Sequence, residues 1–379
     1  MRLMATSRIP DGALLGRDVR TGAAEQAPLL CAGTIITPAY RRALIRQGIN
    51  AVYIDDELSE GIDVPEILTE RTRSHAESAL QRAYDDIPLA LGNGETLSDT
   101  AVNELKQIAA LIARDIAASG DAVLALTDLA GADAYTLQHS IDVTVLGLVL
   151  GRRVLNLYGW PNYRGERVFT GIEERLTSLG VGLLLHDIGK LVVPSSVLQK
   201  DGPLDAAEWE LMRHHPEAGI ELLPGHAVSA LAKSVVRSHH ERWDGSGYSE
   251  GRAGSKIGQF ARIASVADVY DAVTSARPYR DAKPAHVAHS IIVEGSGTAF
   301  DPEVVSAFAK LVAPYPVGTE IELADGSRGI VAAVPFEAPD EPTVRITHGP
   351  GGKPVVEPAD VPFAELAPIA GALDYPAAA

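Results

Sequence analysis

The chain has 379 residues, of which 46% are hydrophobic and 22% charged, and its formal net charge is −17. The length suits two or three domains, and the composition is that of a globular protein able to bury a core. The acidic excess disfavours duplex nucleic acid, whose binders usually present a basic footprint. An anionic small substrate stays compatible if metals and local Arg or Lys residues reverse the field at the site. Cys31 is the one cysteine, so an intramolecular disulfide and a Cys-x-x-Cys zinc site are excluded. Apolar runs such as Val143 to Leu150 are far shorter than the roughly 18 residues that span a bilayer. Residues 1–20 lack the apolar stretch of a signal peptide. The expectation is a cytoplasmic protein without a membrane partner.

Three zones follow in chain order. Residues 1–63 read as a small α/β module, with strands over Leu29–Ile36 and Gly48–Ile54 around a helix over Pro38–Gln47. Gly48 suits the helix C-cap. This module holds no cluster of titratable groups, so it reads as a site for a signalling partner or a homodimer contact.

Residues 64–313 read as almost wholly helical. Pro65–Tyr84 is one helix, and a Pro/Gly/Asn-rich loop covers Asp85–Glu95. Ser98 then caps a helix whose Ala101, Leu105, Ile108, Ile112 and Ile116 recur at spacings of three and four. Further helices are predicted over Ala134–Leu150, Glu173–His186, Asp205–Met212, Val228–His240, Ile257–Ala276 and Pro302–Leu311. Gly151–Gly171 reads as a surface loop. Residues 314–369 read as a small β module, with strands over Glu320–Leu323, Gly329–Ala333 and Thr343–Thr347 and a turn at Asp325-Gly326. The Ala/Pro-rich end, residues 370–379, reads as a flexible tail. The fold class is mainly α, with small modules at both ends.

The chemistry concentrates in the helical zone. His139, His186, His215, His239 and His240 fall there together with Asp187 and Asp268. Imidazoles hold first-row divalent metals, and a carboxylate can bridge two of them. An adjacent His186-Asp187 pair on a helix would splay by about 100°, so that both groups could turn to metals at that helix end. Each dipeptide alone is weak; the grouping of five imidazoles and two carboxylates beside Gly- and Pro-marked turns is what carries weight.

Several ordered motifs resemble those of the HD-GYP branch of the HD superfamily. They are His186-Asp187-Ile188-Gly189-Lys190, His215-Pro216-x-x-Gly219, the run His239 to Tyr248, Asp268-Val269-Tyr270-Asp271-Ala272, and Arg277-Pro278-Tyr279-Arg280. The likeness spans about His139 to Leu311. It implies an all-helical core, two divalent metal ions (Mn or Fe fitting His/Asp ligation best), and hydrolysis of cyclic di-GMP to pGpG, GMP or both. By position, His139, His186, Asp187 and Asp268 would hold one ion. Asp187, as the bridge, and His215, His239 and His240 would hold the other. Lys190 would meet the scissile phosphate, with Lys190 and Asp187 as the catalytic pair. Gly247 and Tyr248 would shape the pocket wall, and Arg277 and Arg280 would meet phosphates or bases.

Two positions depart from that pattern. Ser249 replaces the expected proline and should loosen its loop. Tyr135 stands where some members carry a Glu that helps bind a third metal, so two ions are expected. The other readings are a silent cyclic di-GMP receptor and a broader HD nucleotide phosphohydrolase. Bland roles are expected for His214 (surface), Asp271 (hydrogen bonding behind a ligand, or a salt bridge to an Arg), Glu241 with Arg242 (a solvated pair) and Trp243 (packing).

Overall fold

The computed structural model describes residues 1–19, 28–119, 135–200, 202–275 and 282–373. Strands β1 (Arg2–Ala5) and β2 (Leu14–Leu15) precede helix α1 (Pro38–Arg46) and strand β3 (Ala51–Asp55). They form a sheet ordered β1-β3-β2, with β3 antiparallel to both neighbours. Gly48 ends the helix as predicted, with φ +74° and its N–H on the carbonyl of Ile45. The predicted strand over Leu29–Ile36 is absent. Leu30 and Ile35 make only isolated bridges to Val19 and Leu14. Between them the chain turns at Gly33, φ +80°, where the Asp18 carboxylate accepts the N–H of Ala32.

Helices α2 (Glu70–Asn93) and α3 (Asp99–Ala118) follow. Ser98 caps α3 by accepting the Ala101 N–H. The loop expected over Asp85–Glu95 is instead mostly helix. Tyr84 and Ile87 are buried in the main core, and that burial outweighs the local preference of Pro88 for a break.

Next come α4 (Tyr135–Tyr158), β4 (Trp160–Pro161), β5 (Arg167–Val168) and α5 (Ile172–Leu184). The loop predicted to begin at Gly151 starts only after Tyr158. Gly151 and Gly147 serve close helix packing rather than a turn. A Cβ on Gly147 would lie 2.6 Å from Leu183 Cδ1, and one on Gly151 would strike Leu179.

The remaining helices are α6 (Ser195–Leu198), α7 (Ala206–Arg213), α8 (His215–Glu221), α9 (Ala230–Ser238), α10 (Gln259–Thr274), α11 (Ala285–Glu294) and α12 (Pro302–Ala309). Asp205 and Glu208 close a reciprocal capping box at the start of α7. Helix α4 packs on α5, α10, α12 and α3, while α5 also packs on α3 and α9. One continuous apolar core runs through these helices.

Strands β6 (Glu320–Leu323), β7 (Arg328–Ala333), β8 (Thr343–Gly349), β9 (Lys353–Val361) and β10 (Ile369–Ala372) form an antiparallel sheet ordered β10-β6-β7-β8-β9. The tail expected after residue 369 is therefore ordered through β10, whose residues pair with β6. Residues 374–379 lie outside the described residues.

The two end modules meet. Arg2 binds Asp56 at 2.8 Å and approaches Glu320 at 3.5 Å, and the Leu3 N–H donates to the Gly318 carbonyl. Among the described residues, no helix is long and apolar enough to cross a membrane.

Candidate metal centre

Five segments of chain deliver the seven candidate ligands to one place. His139 comes from α4, His186 and Asp187 from the turn after α5, and His215 from the first position of α8. His239 and His240 follow α9, and Asp268 lies mid-way along α10. Their donor atoms fall into two groups, each lying within 4.8 Å of one another. One is Asp187, His215, His239 and His240; the other is His139, His186 and Asp268.

Asp187 stands between the groups. Its Oδ1 lies 3.4 Å from His215 Nε2 and 3.9 Å from His239 Nε2. Its Oδ2 lies 3.3 Å from His186 Nε2 and 3.6 Å from His139 Nε2. Each carboxylate oxygen thus faces one group. Asp268 also joins the groups, with Oδ1 3.2 Å from His139 Nε2 and Oδ2 3.8 Å from His240 Nδ1.

The imidazoles are aimed from behind. The Nδ1–H of His186 donates to the Leu183 carbonyl at 2.7 Å, that of His215 to Met212 at 2.7 Å, and that of His239 to Val235 and Val236 at 3.1 Å. A carbonyl only accepts, so Nδ1 carries the proton and Nε2 keeps its lone pair toward the centre. His139 donates Nδ1–H to Asp271 at 2.5 Å, the hydrogen-bonding role expected of Asp271. Such partners set tautomer and ring orientation in metal-binding histidines.

Burial and charge match this use at His215, His239 and His240, while His139 holds its proton until a cation displaces it. Burial, reinforced by neighbouring imidazoles, holds the pKa of His239 well below the ordinary value, and burial also lowers His215 and brings His240 down to about 3. These rings stay neutral, as ligands must. Burial would depress His139 too, but hydrogen bonds to Asp268 and Asp271 raise it to about 9. Burial alone would raise the Asp187 carboxyl; Lys190 and the imidazoles hold it well below the carboxylate range. His186 Nε2 and Asp187 Oδ1 are buried without a hydrogen-bond partner. Buried polar atoms of this kind ordinarily have one, and a divalent cation with nitrogen and oxygen ligands fits the donors present.

The local geometry around Asp187 differs from the helix expected there. His186-Asp187 does not lie on an α-helix; α5 ends at Leu184, and a 3-10 turn follows over Ile188–Val192. Lys190 therefore sits on that turn and pairs with Asp187, Nζ to Oδ2 at 2.5 Å. Gly189 allows the turn to press on α8: a Cβ there would lie 2.6 Å from the Gly219 nitrogen and would overlap the His215 carbonyl. The glycines of both motifs are thus contact points between the turn and the helix.

Gly247 and Tyr248 border the cluster. A Cβ on Gly247 would lie 2.6 Å from the Glu241 Cα. The Tyr248 ring stacks on His240, 4.7 Å between centroids. Glu241 is buried rather than solvated. It accepts the N–H groups of Glu250 at 2.7 Å and Arg252 at 3.0 Å, which staples the loop to the segment that carries His239 and His240. Its place directly after those histidines was the available signal. The loosening expected from Ser249 is offset by that staple and by the Ser249 hydroxyl, which donates to the Arg237 carbonyl. His214 is exposed and pairs with Glu217. Trp243 is half-buried beneath Arg262, which is itself paired with Asp301. Arg277 and Arg280 lie outside the described residues.

Residues 172–304 match the family model described as HD domain. A cyclic di-GMP phosphodiesterase of Pseudomonas aeruginosa is 41% identical over 212 residues, covering 56% of this chain and 47% of that protein. One from Thermotoga maritima is 38% identical over 155 residues, covering 40% and 42% respectively. A 3'3'-cGAMP-specific phosphodiesterase of Vibrio cholerae is 39% identical over 123 residues, covering 32% and 24%. The chain spans less than half the length of each of these relatives. A solved structure of Bd1817 from Bdellovibrio bacteriovorus, titled a HDG"Y"P protein, aligns with a TM-score of 0.45 at 14% identity, over 80% of this chain and 97% of that one. The residues matched to the HD domain model include every member of the His/Asp cluster except His139. The match to the HD domain model falls within the stretch that carries the HD-GYP-like motifs.

Proposed function

We propose that this protein is a metal-dependent phosphodiesterase that hydrolyses cyclic di-GMP. The observation that carries the reading is the division of the Asp187 oxygens between two groups of imidazoles, an arrangement suited to a pair of divalent cations. His139, His186, Asp187 and Asp268 would hold one cation, and Asp187, His215, His239 and His240 the other. Mn or Fe suits these ligands better than Mg, which prefers oxygen shells. When bound, such a pair activates water for in-line attack on phosphorus and offsets phosphoryl charge.

The chain's own residues do the rest. Asp271 and the carbonyls of Leu183, Met212, Val235 and Val236 fix the imidazoles, so little reorganisation is needed when substrate arrives. Lys190, one-quarter exposed at its side chain, supplies an ammonium at the edge of the cluster. Lys190 would meet a phosphoryl oxygen as a point charge if bound cations took over its pairing with Asp187. Gly247 and Tyr248 shape the wall beside it, and Arg277 and Arg280 would meet substrate phosphates or bases. No Ser or Cys nucleophile is needed, because phosphoryl transfer depends chiefly on positioning and electrostatics.

Relatives named for cyclic di-GMP and for 3'3'-cGAMP have comparable identity, so the second dinucleotide is the competing substrate. The test is turnover by the full chain loaded with Mn or Fe, with products separated by chromatography. Cyclic di-GMP should be cleaved faster than 3'3'-cGAMP and faster than bis-p-nitrophenyl phosphate. Equal rates on simple diesters would point to a general phosphohydrolase. Binding of cyclic di-GMP without turnover would point to a receptor.

A further inference from the structure

A large aromatic side chain stands half in water beside the cation cluster. Trp209 on α7 is 46% exposed. Among the described residues, the apolar core does not include it, so packing does not account for its size. Its ring meets Tyr248 edge-on, 6.4 Å between centroids. Tyr248 stacks in turn on His240, at 4.7 Å and 27°. Arg213, four residues after Trp209 and on the same helix face, places its guanidinium 5.1 Å from the Tyr248 ring centroid. That side chain is 39% exposed and lies 3.3 Å from Glu210. The series His240, Tyr248, Trp209 thus leads from the cluster outward to solvent, with a cation alongside.

We infer that Trp209, flanked by Arg213 and Tyr248, forms a stacking wall for a nucleobase of the substrate. The inference deepens the phosphodiesterase reading and rests on it. A phosphate held at the cluster has its base one pentose further out, and the ring series leads the same way. Aromatic faces and guanidinium planes hold bases with little sequence demand, because every base has a π-face. The wall favours nucleotide phosphates over phosphates that carry no base. Helix α7 also leads directly into His215, so the wall and a candidate ligand move as one piece.

The test compares two ligands that share phosphate and sugar and differ in the base. Calorimetry on the full chain loaded with Mn measures the dissociation constants of GMP and ribose 5-phosphate. Wild type should bind GMP more tightly. Trp209→Ala should weaken GMP about tenfold relative to ribose 5-phosphate, the scale of one base–aromatic stack, while Trp209→Phe keeps most of the preference. An unchanged ratio in Trp209→Ala, or no preference in wild type, overturns the wall. Equal weakening of both ligands also overturns it, since that reports a disturbed cluster. The phosphodiesterase reading fails separately: base preference lost in Trp209→Ala, with no turnover of cyclic di-GMP by wild type, keeps the wall and removes the reaction.

Discussion

Gly189→Ala tests how tightly the turn that carries Asp187 is tied to the helix that carries His215. An added Cβ would lie 2.6 Å from the Gly219 nitrogen, where ordinary contacts begin near 3.4 Å, and it would overlap the His215 carbonyl. Both neighbours are backbone, so no side chain can swing aside. The turn and α8 must part by about 1 Å, a misplacement that costs about 10²-fold in rate when it falls on reacting groups. Overpacking of this kind destabilises by about 1–3 kcal/mol, which lowers Tm by roughly 2–12 °C for a domain of this size. Gly225→Ala is the control, because nothing lies within 4 Å of its Cβ and its φ is not positive; its stability should stay within about 0.5 kcal/mol. The assays are thermal unfolding, metal content by mass spectrometry, and turnover on the same samples. A Gly189→Ala protein with wild-type Tm, two bound metal equivalents and wild-type turnover would refute the argument that this close approach sets the spacing between Asp187 and His215.

Lys190→Ala should keep both metals and lose about 10²–10³ in rate, the usual cost of one charge-assisted contact to the transition state; turnover within a few-fold of wild type would leave Lys190 only its pairing with Asp187. Asp187→Ala should lose metal as well as rate, since both groups of imidazoles share that carboxylate; full metal content in that variant would remove the bridge. In chelated protein, His215, His239 and His240 have folded pKa values below the ordinary 6.5, mainly through burial. The unfolded chain therefore binds more protons below about pH 6.5, so the stability these rings contribute is full above that pH and is lost as pH falls toward their folded values. His139, raised to about 9, is protonated in both states at acid pH and adds nothing to that slope; its own contribution is lost as pH rises from about 6.5 through 9. Denaturant midpoints should drop between about pH 6.5 and 5, and a flat profile would contradict the neutral state of the three rings.

Much of the helical frame, and the seven His and Asp residues that the fold brings together, were legible in the sequence. Helices α3, α7 and α12 follow from periodicity and caps, because an amphipathic stripe and a Ser or Asp cap are local facts. The order of the His and Asp motifs pointed to one centre, because metal ligation demands particular residue types. Long-range contacts decided the rest. Ile87 lies in the core, and α2 continues to Asn93 despite the Pro/Gly/Asn composition there. Gly151 reads as a breaker until Leu179 is packed against it. The end of α5 at Leu184 moves His186-Asp187 into a turn, and with it the direction of each Asp187 oxygen. Glu241 reads as a surface charge until residues 250 and 252 return to it. The meeting of Arg2 with Glu320 joins segments more than three hundred residues apart. Local propensity carries no record of such contacts, because their energy exists only when both segments are in place.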